Sequence, residues 1–267
     1  MGMRFLAAFP LEQTLALDLP PFLLGVVCIL FQAVLAFFGL LLTRKLIPHH
    51  FLSQHHEVTG AIFGALGTIY GIFLAFIVAT TWQFYSTTGS NLVQEARCLG
   101  DLYSNAQAFP PEFRDLVRRI MLDYREAVVD REWKSLERGM ADPRTAQLLG
   151  QLTSSYAGHK VDSLAEGAFF LESVSNLNHM KELRTSRIDD ASSGLIPFLW
   201  CILIAGAVTT VGFSFLFAPR NFSAQAIMTM LLTGVICLTL YTIVNLDFPF
   251  SGLVAISPSP LQKLEMK

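Results

Sequence analysis

The stretch GAIFGALGTIYGIFLAFIVATTWQFY, residues 60–85, decides the fold class. It lies inside Val58–Gln94, a run of 37 residues without a charged side chain. Gly60, Gly64, Gly67 and Gly71 recur at spacings of four, three and four. An α-helix turns about 100° per residue, so the four glycines share one narrow stripe. Ile62, Leu66, Ile69, Phe73, Phe76, Thr80 and Phe84 share the opposite side. One flank is bare and the other bulky. About 20 apolar residues cross a bilayer, so this helix is long enough to span one.

Working outward, Leu19–Thr43, Ala191–Pro219 and Asn221–Leu246 are equally free of charge. Mean hydropathy is +0.48 and only 15% of residues are charged. Charge-free runs beyond about 18 residues mark membrane spans rather than soluble cores. The expected fold is an all-α integral membrane protein with four transmembrane helices and a helical soluble insert between the second and third. The segments are an interfacial lead-in (1–19), the first two spans with a His-rich link (20–87), the insert (88–193), the last two spans (194–247) and a tail (248–267). The turn Pro219–Ser223 is short enough to make the last two spans antiparallel neighbours.

The insert holds 13 of the 19 Lys+Arg and 16 of the 21 Asp+Glu, so water surrounds it. Phe113, Leu116, Val117, Ile120, Met121, Tyr124 and Val128 recur at threes and fours, the period of an amphipathic helix. Pro110-Pro111 starts that helix and Gly139 stops it. Further helices are expected over Pro143–Ser155 and Val161–Asp190. The second span is expected to continue past Thr88, because Leu92, Ala96, Leu99 and Tyr103 keep the period. Gly89 costs that continuation about 1 kcal/mol relative to alanine.

Several chemistries find no support. The spans contain no Asp, Glu, Lys, Arg or His before Asp247. Intramembrane ionisable groups mark pumps and proton-coupled carriers, so their absence argues for passive conduction or scaffolding. No nucleophile triad, phosphate loop or cofactor motif occurs, and an enzyme is not expected. Basic residues are dispersed among acids, which argues against nucleic acid. The four cysteines show no disulfide or zinc spacing. His49, His50, His55 and His56 in the link read as solvated interfacial residues, with no completed metal site. Glu132-Trp133 reads as a packing tryptophan beside a solvated acid. Asp247 reads as a helix-terminating residue at the interface or as a charged ring at a pore mouth.

The glycine stripe permits close backbone approach, which favours helix association in lipid. Its partner helix belongs either to the same chain or to another copy. On the bulky flank Ile69, Phe73 and Ile77, spaced by four, are the candidates for a hydrophobic neck, since dry constrictions gate ions by dewetting.

Gly60 to Trp82, Glu95-Ala96, Tyr124, Glu132-Trp133, Arg184, Arg187, Pro197, Trp200, Asp247, Pro249 and Gly252 together resemble the bacterial membrane proteins described as bestrophin-like. The likeness covers roughly residues 60–257. True bestrophins are pentameric chloride channels whose second span carries an Ile/Phe neck. The resemblance therefore implies a homo-oligomer in the bilayer of the bacterial inner membrane, with each second helix near the axis and small ions as cargo. It makes Glu95 and Asp247 candidates for pore-mouth or structural roles. No acidic calcium clasp is present. Lys/Arg counting by loop favours a cytoplasmic insert. Two other readings fit the layout. One is a proton-channel scaffold around a partner helix, using Thr68, Thr80, Thr81, Thr209, Thr210 and Thr233. The other is a membrane scaffold or sensor signalling through the insert.

Overall fold

The structure, a computed structural model, describes residues 21–46, 56–216 and 221–266. Nine α-helices occur among the described residues, and no strand. They are α1 (Pro21–Leu46), α2 (His56–Asn105), α3 (Pro111–Ala127), α4 (Trp133–Leu136), α5 (Pro143–Gly158), α6 (Leu164–Ser192), α7 (Pro197–Ser214), α8 (Phe222–Asp247) and α9 (Ser259–Gln262). The all-α class and the four apolar helices are as the sequence predicts. Spans long and apolar enough to cross a membrane lie in α1, α2, α7 and α8. The lead-in, the turn residues 217–220 and the side chains of the link histidines lie outside the described residues.

The α2 helix is unbroken for 50 residues. At 1.5 Å per residue it is about 75 Å long, more than twice the roughly 30 Å hydrocarbon core of a bilayer. It continues through Gly89, as the Leu92–Tyr103 pattern predicts. A Cβ at Gly89 would meet only Ile256, at an ordinary 3.9 Å.

The chain divides into two units, Met1–Gln83 with Leu195–Asp247, and Phe84–Gly194 with Phe248–Lys267. In the first, α8 lies along α1. Gly25 sits under the Tyr241 ring, where a Cβ would stand 2.9 Å from it, and Gly39 sits equally close under Phe215. Arg44 closes one end of this pair, donating through Nε and Nη2 to Gln225 Oε1 at 3.0 and 2.6 Å. Against α7, α2 places Tyr70, whose hydroxyl donates to the Leu203 carbonyl at 2.9 Å. Tyr70, Leu74, Ile77, Leu203, Ile236 and Ile243 form the buried centre of this unit.

The second unit is an aqueous-type domain. Its core joins the last third of α2 to α3, α5 and α6 through Leu99, Leu102, Val117, Met121, Leu152 and Met180. Asp142 caps α5 by accepting from Thr145 N at 2.9 Å, and Ser163 caps α6 by accepting from Glu166 N at 3.1 Å. Gly139, at φ 66°, ends α4 in the left-handed region. Met140 N bonds Ser135 O and Gly139 N bonds Leu136 O, the paired closure that glycine permits. The tail packs within this unit. Tyr85, Trp133 and Arg125 donate to the carbonyls of Val254, Ile256 and Leu264 at 2.7, 3.1 and 3.0 Å.

Candidate functional site

Two features carry candidate functional residues, a face of α2 and a buried polar cluster in the insert. On α2, exposure follows the helical period. Tyr70, Leu74, Ile77 and Thr81 are buried, whereas Ile62, Ile69, Ile72 and Phe76 are 51–71% exposed. Ile69, Phe73 and Ile77 therefore do not share one environment. Ile69 is exposed, Phe73 is half-buried and Ile77 is 2% exposed in the core of its own unit. The cause is the spacing. Four residues overshoot one turn by about 40°, so a line of fours rotates from the surface into the core within two steps. Residues seven apart lag by only about 20° per step. Ile62, Ile69 and Phe76 accordingly stay on the surface.

The glycine stripe is also open. Among the described residues, a Cβ on Gly60, Gly64, Gly67 or Gly71 would meet nothing within 4 Å. Close approach inside the chain uses other glycines. At Gly206 an added Cβ would overlap the edge of the Tyr70 ring. Sequence reasoning missed Gly25, Gly39 and Gly206, because isolated glycines in an apolar run carry no spacing signal.

Several threonine hydroxyls of the membrane helices turn to their own backbone, while Thr210 Oγ1 has no hydrogen-bond partner among the described residues. Thr68 donates to Gly64 O at 2.8 Å, Thr80 to Ile77 O at 2.9 Å, Thr209 to Ala205 O at 2.7 Å and Thr233 to Thr229 O at 2.8 Å. Such back-bonding satisfies hydroxyls where lipid offers no partner. Asp247 is buried at the end of α8. Its Oδ1 accepts from Leu195 N at 2.7 Å, tying the entry of α7 to the exit of α8.

The insert buries Glu95, Glu132, Arg184, Arg187 and Tyr124 in one network. Arg187 lies between the two acids. Its Nη2 donates to Glu95 Oε1 at 3.0 Å and to Glu132 Oε2 at 2.9 Å, and its Nε lies 2.9 Å from Glu95 Oε2. That last pair is an ion contact too bent to count as a hydrogen bond, and Arg187 Nη1 has no hydrogen-bond partner. Arg184 Nη2 makes a short contact with Glu132 Oε1, and its Nε donates to Oε2 at 3.3 Å. Tyr124 donates to Glu95 Oε1 at 3.0 Å. The Arg187 guanidinium also stands 5.4 Å from the Trp133 ring centroid. Two acids face two guanidiniums, so the formal charge cancels.

Burial drives Arg187 toward losing its proton, but Glu95 first, then Tyr124 and Glu132, outweigh it and leave its pKa above the usual value. Burial, reinforced by the Glu95 charge, pushes the Tyr124 phenol well above its ordinary range, so it remains a donor. A geometric detail creates the cluster. Val128–Glu132 forms a π-helical turn, which adds a residue to the rotation after α3. Without it the inward positions would continue to Arg131. With it, Arg131 is exposed, while Glu132, Trp133 and Leu136 are buried. The reading of Glu132 as a solvated acid is thereby corrected, while Trp133 packs against Phe250 at 5.6 Å between centroids. Arg184 and Arg187, two of the residues that carry the family resemblance, are likewise held in these buried pairs.

No group of three or more His, Cys, Asp or Glu among the described residues could hold a metal ion. Residues 30–261 match the model of the Bestrophin-like domain. No protein of curated function matches the sequence significantly. Solved structures share the fold. A bacterial bestrophin homologue from Klebsiella pneumoniae carrying a point mutation superposes at a TM-score of 0.67 with 12% identity, covering 88% of this chain and 97% of that one. A second structure of the homologue gives 0.65, 13%, 88% and 95%. A structure described as a mutant membrane protein gives 0.67, 12%, 88% and 95%.

Proposed function

The chain belongs to the Bestrophin-like domain family, and on that premise we propose that it is a homo-oligomeric membrane channel conducting ions passively, with anions preferred. The observation that carries this reading is the membrane half of α2. The described residues of its own chain cover one side, through Tyr70, Leu74 and Ile77. The glycine stripe and the bulky face both remain open. We assign the glycine stripe to contact with a neighbouring copy, where small residues let backbones approach. The bulky face then lines the axis. Ile69 and Phe76 form the hydrophobic neck, with the half-buried Phe73 beside them. A constriction of this kind passes ions when wetted and blocks them when dry.

The absence of ionisable side chains in the apolar runs supports passive transport. Five copies is the number implied by true bestrophins. The bacterial inner membrane is the placement the family resemblance implies, and Lys/Arg counting favours a cytoplasmic insert. Purified protein reconstituted in chloride-loaded liposomes should release chloride down its gradient. Ile69→Ala and Phe76→Ala should each raise the flux by widening the neck. Chloride-tight liposomes containing a folded, homogeneous oligomer would refute the channel reading.

A further inference from the structure

The aqueous half of α2 begins with a neutral surface strip. Its exposed positions from Ser86 to Gln94 are Ser86, Thr87, Ser90, Val93 and Gln94, and none is charged. On α3 of the same unit the exposed positions include Glu112, Asp115, Arg119, Asp123 and Glu126. Exposed positions from Ala146 to Gly158 on α5 are also uncharged, so what sets the α2 strip apart is that it continues the helix that carries the proposed neck. Such a strip suits ion conduction, because the wall of a path must bind ions weakly enough to release them. Hydroxyls and amides meet that requirement, whereas a lining of fixed charges would hold counter-ions.

Beyond this strip the first exposed ionisable side chain is Arg97. It follows Gln94 by three residues, about 4.5 Å along the axis, and stays on the same face. Asp101 is exposed one further turn out. The other ionisable group nearby on α2, Glu95, is fully buried and paired with Arg187. Asp190 of α6 accepts from the buried Thr88 at 2.8 Å, so along the exposed face of α2 the Arg97 guanidinium is the first fixed charge after the strip, and Coulomb interaction falls with distance. Repeated in each copy, Arg97 makes a cationic ring.

We propose that Arg97 sets the charge preference of the channel by concentrating anions at the end of the neutral strip formed by Ser86, Ser90 and Gln94. This rests on the channel reading of α2 and adds the selectivity-determining residue to it. Reversal potentials of the full-length oligomer in planar bilayers under a potassium chloride gradient test it. The wild type should favour chloride. Arg97→Gln should lower the chloride-to-potassium permeability ratio by at least roughly fivefold, the effect of one charge beside an aqueous path, since it removes that charge from every copy. Arg97→Glu should carry it past unity, whereas Arg119→Glu on α3, equally exposed, should leave it unchanged. Asp101→Asn should raise it slightly. Each variant must elute as the wild-type oligomer. A conducting Arg97→Glu channel with the wild-type reversal potential would overturn the assignment to Arg97 and leave the channel reading standing. A silent wild type would overturn both.

Discussion

In the membrane unit Leu40, Leu203 and Ile243 are fully buried, yet Leu35, Ile69 and Val235 are at least half exposed. In the insert the fully buried residues include Glu95 and Glu132 beside Arg187, and acids and bases cover the outside. The same chain thus hides opposite things in its two units. In lipid, exposing a leucine costs nothing, so helices associate through close approach and a few hydrogen bonds. Here those are the glycine seats under Tyr241, Phe215 and Tyr70 and the Tyr70–Leu203 bond. In water, apolar burial drives folding, and ions can enter the core only if each finds a partner. A buried ion pair is costly to form and costlier to break. Each unit should therefore fail for its own reason when its characteristic contact is removed.

The largest effect should come from Arg187→Leu. It leaves Glu95 and Glu132 facing each other in the core with only Arg184 and Tyr124 as partners. Breaking one side of a buried ionic group costs about 3–5 kcal/mol, so urea unfolding of the insert helices, followed by circular dichroism, should shift sharply to lower denaturant. An unchanged midpoint would mean that the network does not hold this unit together. Next in size, Gly206→Ala forces a methyl into the Tyr70 ring. Overpacking of this kind costs about 1–3 kcal/mol, and the melting temperature in detergent should fall. Gly67→Ala meets nothing within 4 Å among the described residues of its own chain. It should leave the melting of separated subunits unaltered and weaken the oligomer, read by light scattering. Equal effects of the two alanines on subunit melting would erase the distinction between closed and open glycines.

The smallest effect concerns the α5–α6 corner. Glu166 accepts from Asp162 N at 2.9 Å and pairs with His159 at 2.7 Å, and these contacts hold its carboxyl below the ordinary carboxylate range. A lowered folded-state value stabilises the fold above the unfolded pKa, about 4.3, and that stability is lost as pH falls through the folded value. Glu166→Gln should melt earlier than wild type at pH 7. The gap should close as melts are repeated toward pH 3. A gap constant with pH would show that the ionised form adds nothing.

Much of this was legible in the residues. Charge-free runs announced four spans, Pro110-Pro111 and Gly139 bracketed the first insert helix, and the Leu92–Tyr103 period carried α2 through Gly89. The candidate site was less legible. Spacing by four selected Ile69, Phe73 and Ile77, and only the packing of α7 and α8 shows which side of α2 is covered. The Glu95–Arg187 network joins residues 92 positions apart. No local pattern encodes such a pairing, and the π-helical turn that aims Glu132 inward leaves no mark in the hydrophobic period that precedes it.

By itself the sequence determined the solvent of each segment, because the free energy of placing a charge or a leucine in lipid or water is a property of that residue alone. It thereby determined the helical class, the spans and the division between apolar helices and polar insert. The tertiary structure decided which face of each helix is spent inside its own chain. It closed Gly25, Gly39 and Gly206, left Gly60, Gly64, Gly67 and Gly71 open, and buried the Glu95, Glu132, Arg184 and Arg187 charges that composition assigns to water. Burial of a face depends on which distant residues arrive against it, and only the folded arrangement contains that information.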